Sequence, residues 1–280
     1  MNFRTTWTAF IALAIGGCVH AGGNISDVPP PGSRYVAIGS SFAAGAGIGP
    51  VKPGTPDRCG RTQNNYASLL ADKLGLILDD QSCSGAKTDH ILGPWNEVPA
   101  QIDAVTPDTQ LVTVTIGGND LNYVGKLFSA SCSPDGKSRF RPTEPCPEAA
   151  PVDPADYAKL KENLRAISQS VQQRAPQARV VFVQYVTLVP DELCEATPLS
   201  INFGKVIAKI AIKLAAITKK VADETGAQAL AADKLSRGHT PCDAVPWATG
   251  LPLDFDRSNG AAWHPNTAGH LAIAEAMAAR

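Results

Sequence analysis

The sequence has no large excess of either charge, no hydrophobic run long enough to cross a bilayer, and no internal repeat. Its formal net charge is −1 over 280 residues, which argues against a nucleic-acid partner because such proteins carry a basic surface. The apolar run at residues 7–15 is too short to span a membrane. What the chain does have is 44% hydrophobic residues, enough to bury the core of one large globular domain or two small ones.

Cysteine motifs for metal binding are also missing. None of the 7 cysteines forms a C-x2-C pair with another, so we expect no metal. Six cysteines form an even set: Cys59, Cys83, Cys132, Cys146, Cys194 and Cys242. In an exported chain such a set implies up to three disulfides, whose pairing these residues alone leave open.

The N-terminus is typical of a secretion signal, with Arg4 ahead of the apolar run and small residues after it. Ile15-Gly16-Gly17-Cys18 resembles a bacterial lipobox, while Val19-His20-Ala21 suits ordinary signal peptidase. We expect residues 1–17 to be a lipoprotein-type signal peptide with Cys18, the odd cysteine, lipidated. Residues 18–33 would then tether the domain to the membrane. This predicts an exported protein, either secreted or held in the bacterial envelope (periplasm or outer membrane) by a lipid anchor.

Residues 34–280 alternate between strand and helix patterns. Strands are expected at residues 35–38, 76–78, 110–116, 180–185 and 228–231, and helices at residues 65–74, 97–105, 156–174, 201–224 and 267–279. This alternation predicts a three-layer α/β/α sandwich with about five mostly parallel strands. Residues 129–154 break the pattern and predict a surface loop that borders the substrate pocket.

Two residues far apart in the sequence suggest nucleophilic catalysis. Ser41 follows the first buried strand, where a sharp turn would present its hydroxyl at the carboxyl end of the sheet. A serine there can equally be a helix cap. His264 precedes Pro265, which fixes the backbone, and Asn266, which can cap the last helix. A histidine held in this way is a candidate general base for the serine.

Two further segments supply candidate donors for an oxyanion. Gly117-Gly118-Asn119-Asp120 follows the strongest predicted strand, and the Asn119 amide is a neutral donor suited to developing negative charge. Ser84-Gly85-Ala86 adjoins Cys83, so a disulfide there would hold a backbone N–H in place.

These four segments, in this order, resemble the blocks of the SGNH or GDSL hydrolase superfamily. More narrowly, the cysteines and nearby residues are similar in order to those of secreted lipases and esterases of the streptomycete type. The resemblance implies Ser41 as nucleophile, His264 as base, and an oxyanion hole built from the Ser41 and Gly85 N–H groups with the Asn119 side chain. It also implies the bridges Cys59–Cys83, Cys132–Cys146 and Cys194–Cys242.

The sequence departs from this family at two positions. Ser40 stands where members usually carry aspartate before the nucleophile, and Ala261 stands where they usually carry aspartate three residues before the histidine. We expect a Ser–His dyad in which the Ala261 carbonyl orients His264. Asp254 and Asp256 are the alternatives for a displaced triad.

The sequence therefore predicts a monomeric, cofactor-independent serine esterase or lipase that acts on small-molecule or lipid esters. Three alternatives stay open. The same fold and residues would serve an O-deacetylase or an acyltransferase. An α/β-hydrolase is disfavoured because that fold places its nucleophile after several strands. A catalytically silent surface lipoprotein that binds an ester or glycan would account for the missing acids.

Overall fold

The structure is a computed structural model that describes residue 1, residues 28–139, residue 141 and residues 143–280. The predicted signal peptide, the lipidation of Cys18 and most of the tether lie outside the described residues. Ordered strand structure begins at Arg34, the expected start of the domain.

The described chain is built around one parallel sheet of five strands: β1 Arg34–Gly39, β2 Ile77–Asp80, β3 Thr109–Thr115, β4 Arg179–Val183 and β5 Gln228–Leu230. Their order is β2-β1-β3-β4-β5, and every neighbouring pair is parallel. The central strands are almost wholly buried because both faces of the sheet are covered, as the continuous apolar runs of β1 and β3 require.

Eight α-helices accompany the strands in the described residues: α1 Ser41–Ala44, α2 Tyr66–Leu74, α3 Thr88–Leu92, α4 Tyr123–Ala130, α5 Pro154–Arg174, α6 Ile201–Thr225, α7 Ala232–Leu235 and α8 Thr267–Ala278. Helix α2 packs with α8, and α5 packs with α6. Right-handed crossovers place α2 on one face and the helices that follow β2, β3 and β4 on the other. The result is the expected three-layer α/β/α sandwich.

The strand order reverses between β1 and β3. The chain leaves β1 toward β2 at one edge, whereas it leaves β3 toward β4 and β5 at the other. In open parallel sheets this reversal opens a crevice at the carboxyl ends of the two strands, which is where ligands bind. The segments that carry Ser41 and Asn119 both enter this crevice.

Several predicted elements differ from those observed. The helix expected at residues 97–105 is only a 3-10 turn at Gln101–Ala104, because Pro99 lacks an N–H and disfavours helix before it. The expected loop at residues 129–154 is shorter, since α4 ends at Ala130 and α5 begins at Pro154. Helices α3, α4 and α7 were not predicted.

Three disulfides join Cys59 to Cys83, Cys132 to Cys146 and Cys194 to Cys242. These are the pairs that the family resemblance implies, and such bridges are typical of proteins exported from the cytoplasm. Within the described ranges, no helix has both the length and the apolar character needed to cross a membrane.

Candidate active site

The turn that carries Ser41 is shaped by Gly39, the last residue of β1. A Cβ on Gly39 would lie 2.5 Å from the Thr115 carbonyl oxygen, so only glycine lets β1 and β3 come this close. The Ser40 N–H donates to the same carbonyl at 2.9 Å. Ser41 then begins α1, with its residue only 9% exposed. The predicted strand-to-helix turn is therefore present, and it fixes the position of the Ser41 hydroxyl.

Gln101 holds this turn from the side. Its buried amide accepts from the Gly39 N–H at 2.7 Å and donates to the Gly39 carbonyl at 3.0 Å. Both backbone groups of Gly39 are thus bound by one side chain, which restrains the residue two positions before Ser41. No local sequence signal identifies Gln101, because its partner lies 62 residues away.

The structure brings Ser41 and His264 together. The His264 Nε2 atom lies 2.8 Å from the Ser41 Oγ atom, and Nδ1 lies 2.7 Å from the Ala262 carbonyl oxygen. Because a carbonyl oxygen can only accept, Nδ1 carries the proton and Nε2 is left to accept from the Ser41 hydroxyl. The Phe42 ring packs against the imidazole with their centroids 4.9 Å apart.

The loop around His264 is held on all sides. Trp263, with φ at 58° and its side chain fully buried, donates from Nε1 to the Ser131 hydroxyl at 2.9 Å. Asn266 caps α8 by accepting from the Gly269 N–H at 3.0 Å. The Thr249 N–H donates to the His264 carbonyl at 2.9 Å. The imidazole is therefore presented from a rigid segment, as the Pro265 and Asn266 pattern predicted.

The carbonyl that meets His264 belongs to Ala262, not to Ala261 as expected from the sequence. The Ala261 carbonyl instead accepts from the Thr249 hydroxyl at 2.6 Å. The turn at Trp263, whose φ is positive, brings the preceding carbonyl back toward the ring. The predicted acceptor, the Ala261 carbonyl, was therefore wrong by one residue. The observed acceptor is a main-chain carbonyl, as expected, but it belongs to Ala262.

Neither candidate carboxylate contacts the histidine. Asp256 is exposed and accepts from the Ser258 N–H at 2.8 Å and from the Ser258 hydroxyl at 2.6 Å. Asp254 is also exposed and makes no hydrogen bond to His264. Within the described residues, both ring nitrogens of His264 are satisfied without an acid.

Burial sets the protonation of His264. The imidazole is 7% exposed, and removal from water lowers its pKa from 6.5 to about 4, with the Ala262 carbonyl opposing that shift. A charged imidazolium is disfavoured because, among the described residues, no negative group compensates for the lost hydration. His264 is therefore neutral at physiological pH and can accept a proton.

The Asn119 side chain contacts the segment that carries Gly85. Its side-chain amide donates to the Ala86 carbonyl at 2.9 Å, which ties the loop after β3 to the segment that carries Gly85. That segment is fixed by the Cys59–Cys83 bridge and by the Ala86 N–H, which donates to the Cys83 carbonyl at 3.0 Å. The backbone N–H groups of Ser41 and Gly85 have no acceptor within the described residues.

Tyr185 links the turn that carries Ser41 to the loop that carries Asn119. Its hydroxyl accepts from the Gly118 N–H at 3.0 Å and lies 3.1 Å from the Ser40 Oγ atom. A Cβ on Gly118 would come within 2.7 Å of the Tyr185 ring. The Ser40 hydroxyl thus has a tyrosine partner. The only sequence signal for Tyr185 is its place directly beyond a buried strand.

Among the described residues, no group of three His, Cys, Asp or Glu side chains could hold a metal ion. The pairing of the Ser41 hydroxyl with His264 Nε2 is suited to chemistry that uses a nucleophile and a base. Acyl transfer to a serine hydroxyl is chemistry of this kind.

Residues 37–272 match the GDSL-like Lipase/Acylhydrolase family. The chain is 33% identical over 260 residues to Lipase 2 of Streptomyces coelicolor, covering 88% of this chain and 84% of that protein. It is 27% identical over 236 residues to a lipase of Streptomyces rimosus, covering 84% of this chain and 81% of that one. The chain is therefore similar in sequence to proteins that are named as lipases.

The fold has close counterparts among solved structures. An extracellular lipase from Streptomyces rimosus superposes with a TM-score of 0.67 at 25% identity, over 88% of this chain and 99% of that one. Phospholipase A1 from Streptomyces albidoflavus gives the same TM-score and coverage at 23% identity, a likeness that bears on the fold alone.

Proposed function

The chain belongs to the GDSL-like Lipase/Acylhydrolase family and is a carboxylic ester hydrolase, and from this premise we propose that it works through an acyl-enzyme on Ser41 with His264 as general base. The observation that carries the proposal is the 2.8 Å contact between Ser41 Oγ and His264 Nε2. Serine attacks an ester only when a base takes its proton, and this contact supplies the base.

In the proposed reaction, Ser41 Oγ attacks the ester carbonyl carbon while His264 Nε2 takes the hydroxyl proton. The tetrahedral intermediate collapses, and the alcohol leaves with the proton returned by Nε2. A water molecule, deprotonated by the same nitrogen, then attacks the acyl group on Ser41 and releases the carboxylic acid. Each proton taken by His264 is given back, so no cofactor is consumed.

The negative charge of each intermediate would be bound by the Ser41 N–H, the Gly85 N–H and the Asn119 amide. Support comes from the uncommitted backbone donors of Ser41 and Gly85 and from the hydrogen bond between Asn119 and Ala86. Preorganised donors of this kind each lower the free-energy barrier by roughly 3 kcal/mol, because they need not reorient when charge develops.

We assign the orientation of His264 to the Ala262 carbonyl, so that the enzyme works with a Ser–His dyad. The carbonyl dipole holds the tautomer with the proton on Nδ1. It stabilises the imidazolium less than a carboxylate would.

The dyad predicts that both aspartates near His264 are dispensable. Asp254→Ala and Asp256→Ala should each retain kcat/KM within about threefold of the wild type, because neither carboxylate touches the imidazole. Hydrolysis of p-nitrophenyl butyrate measures this, with circular dichroism as the check on folding. A loss of several orders of magnitude in kcat/KM in either folded variant would show that the aspartate supports His264 and that the enzyme uses a triad.

The pH dependence of kcat/KM should follow the titration of His264. Only the neutral imidazole accepts the Ser41 proton, and its pKa is lowered to about 4. Activity should therefore be lost as the pH falls through about 4 and should not halve near pH 6.5. A loss of activity at low pH can come from protonation of His264 or from acid unfolding. A pH profile of kcat/KM recorded together with tryptophan fluorescence, which reports unfolding, separates these two causes. An acid limb centred near 6.5 in the folded protein would contradict this environment for the base.

The substrate would lie in the cavity beside the histidine loop. This cavity has a volume of about 880 Å³, and its walls include Ala262, Phe128 and Leu251 together with Ser133 and Arg139 of the loop after α4. The apolar side chains would take the acyl chain, while the ester group itself would lie at Ser41, outside the walls of this cavity. The loop at residues 129–154 would then border the substrate pocket.

We further propose that Cys18 carries the lipid anchor of an envelope lipoprotein. The support is the lipobox-like sequence that ends at Cys18, and the pairing of the other six of the 7 cysteines in disulfides.

Pre-steady-state hydrolysis of p-nitrophenyl esters, from acetate to palmitate, tests the proposed acyl-enzyme. We expect a burst of p-nitrophenolate for the preferred chain length, with an amplitude that approaches one equivalent per enzyme. The burst should be absent in Ser41→Ala. If the wild type hydrolysed none of these esters faster than Ser41→Ala does, the proposed acyl-enzyme on Ser41 would be refuted.

A further inference from the structure

The Thr249 hydroxyl joins the two ends of the turn that leads from Ala261 to His264. It donates to the Ala261 carbonyl at 2.6 Å and accepts from the His264 N–H at 3.3 Å. The His264 carbonyl also lies 3.3 Å from this oxygen, but it already accepts from the Thr249 N–H at 2.9 Å. Because a hydroxyl donates one proton and can accept at the same time, it makes both bonds at once. One side chain therefore closes the turn.

The closed turn contains the carbonyl that orients the base. Ala262 is inside it, with its carbonyl oxygen 2.7 Å from His264 Nδ1. The next residue, Trp263, has a φ of 58°, which residues other than glycine rarely adopt and which persists only when the surroundings hold it. The bond to Ser131 holds the indole, while the Thr249 hydroxyl holds the backbone on both sides of it. Without this hydroxyl, the Ala262 carbonyl would be free to turn away from the imidazole.

Thr249 is itself held by backbone contacts on either side. Ala248 pairs with Pro265 in an antiparallel bridge, which fixes the residue before Thr249 against the segment that follows the base. On the other side, the Leu251 N–H donates to the Ala196 carbonyl at 2.8 Å. Thr249 therefore has a fixed position from which its hydroxyl restrains the turn.

The orientation of the Ala262 carbonyl determines which nitrogen of His264 carries the proton. While the carbonyl accepts from Nδ1, Nε2 is unprotonated and accepts from the Ser41 hydroxyl at 2.8 Å. If the carbonyl turned away, a neutral imidazole could carry its proton on either nitrogen. Histidine with the proton on Nε2 cannot take the proton of Ser41, so that fraction of the enzyme would be inactive.

We propose that Thr249 is a positioning residue for the base, which closes the turn at Ala262 and thereby keeps the proton of His264 on Nδ1. Its hydroxyl acts through the backbone and contacts neither Ser41 nor the imidazole. The inference rests on the proposed role of His264 as general base. The tautomer of the imidazole, however, is measurable without substrate.

Thr249→Val tests this role, because valine keeps the branched shape of threonine and lacks the hydroxyl. Two-bond proton–nitrogen correlation spectra of protein with isotope-labelled histidine, recorded at neutral pH, report the tautomer. The His264 signals are those that disappear in His264→Gln. We expect the wild type to show the proton on Nδ1 alone and Thr249→Val to show a mixture of both tautomers. Thr249→Ser keeps the hydroxyl and should restore the wild-type spectrum.

The same variants should also differ in steady-state kinetics with p-nitrophenyl butyrate. Thr249→Val should lower kcat at least about fivefold with KM within about twofold of the wild type, because only the base is disturbed. Thr249→Ser should stay within about threefold of the wild type in kcat. Thr187→Val is the matched control, since the Thr187 hydroxyl donates to the Asp233 carbonyl at 2.7 Å and not to the turn before His264. It should retain the wild-type kinetics and tautomer.

Thermal unfolding checks that each variant is folded, and Thr249→Ala takes the place of Thr249→Val should the valine variant not fold. A folded variant that lacks the hydroxyl but keeps the single tautomer, or keeps the wild-type kcat, would overturn the positioning role. Loss of the single tautomer in Thr249→Ser would assign the effect to the missing methyl group and would overturn it too. Failure of the proposed function is distinct from these outcomes, because it would appear as activity retained in Ser41→Ala.

Discussion

Replacing Ser41 with alanine is expected to lower kcat for p-nitrophenyl butyrate by about 10⁴- to 10⁶-fold. The variant loses the only hydroxyl within hydrogen-bond distance of His264 Nε2 in the described residues. Oxyanion donors and substrate binding would remain, so a small residual rate over water is expected. Folding should be unaffected because one oxygen atom is removed.

Ser40→Ala is the matched control for this experiment. Ser40 is the neighbouring hydroxyl, but its partner is Tyr185 and not the histidine. Its loss should cost less than about tenfold, in keeping with the roughly 1 kcal/mol of one hydrogen bond. If Ser41→Ala retained most of its activity, or if Ser40→Ala lost as much as Ser41→Ala, the nucleophile would be misassigned.

Asn119→Ala is expected to lower kcat by about 10²- to 10³-fold with little change in KM. The amide is proposed to meet the oxyanion, a charge that exists only after attack, so its loss should be felt in the transition state and not in substrate binding. The steady-state parameters of the p-nitrophenyl ester series measure this split.

Asn64→Ala serves as the control for Asn119, since the Asn64 amide donates to the Ile48 carbonyl at 3.0 Å, outside the proposed oxyanion hole. We expect wild-type kinetics for it. An increase in KM at unchanged kcat in Asn119→Ala would mean that the amide binds the ground state, and the proposed oxyanion hole would be incorrect.

The central strands of the sheet were predictable because they are nearly continuous apolar runs bounded by breakers. Residues 110–116 predicted a strand that the structure places at Thr109–Thr115, and residues 35–38 fall within β1. The helix predicted at residues 97–105 was wrong. The prediction followed the composition of the segment and neglected Pro99, which disfavours helix, and only a 3-10 turn forms there. Helix α4 was not predicted because its N-cap residue, Asn122, has a φ of 50° and makes no side-chain capping hydrogen bond.

The candidate site was predictable where chemistry restricts residue type and not where distant packing decides. Serine, histidine and asparagine are identifiable from their chemistry and from the turns around them. The choice of the Ala262 carbonyl over that of Ala261 depends on the positive φ of Trp263, which the residue type disfavours. Gln101 and Tyr185 act through partners 62 and 67 residues away, so no local pattern shows which groups they contact.

Labelling with a fluorophosphonate, followed by peptide mass mapping, tests the central claim most directly. The reagent forms a stable bond only with a serine that a base has activated. We expect one adduct, on Ser41, with its rate of formation lowered strongly in His264→Gln because Nε2 no longer accepts the hydroxyl proton. An adduct on any other residue, or labelling of Ser41 at the wild-type rate in His264→Gln, would contradict the pairing of Ser41 with His264.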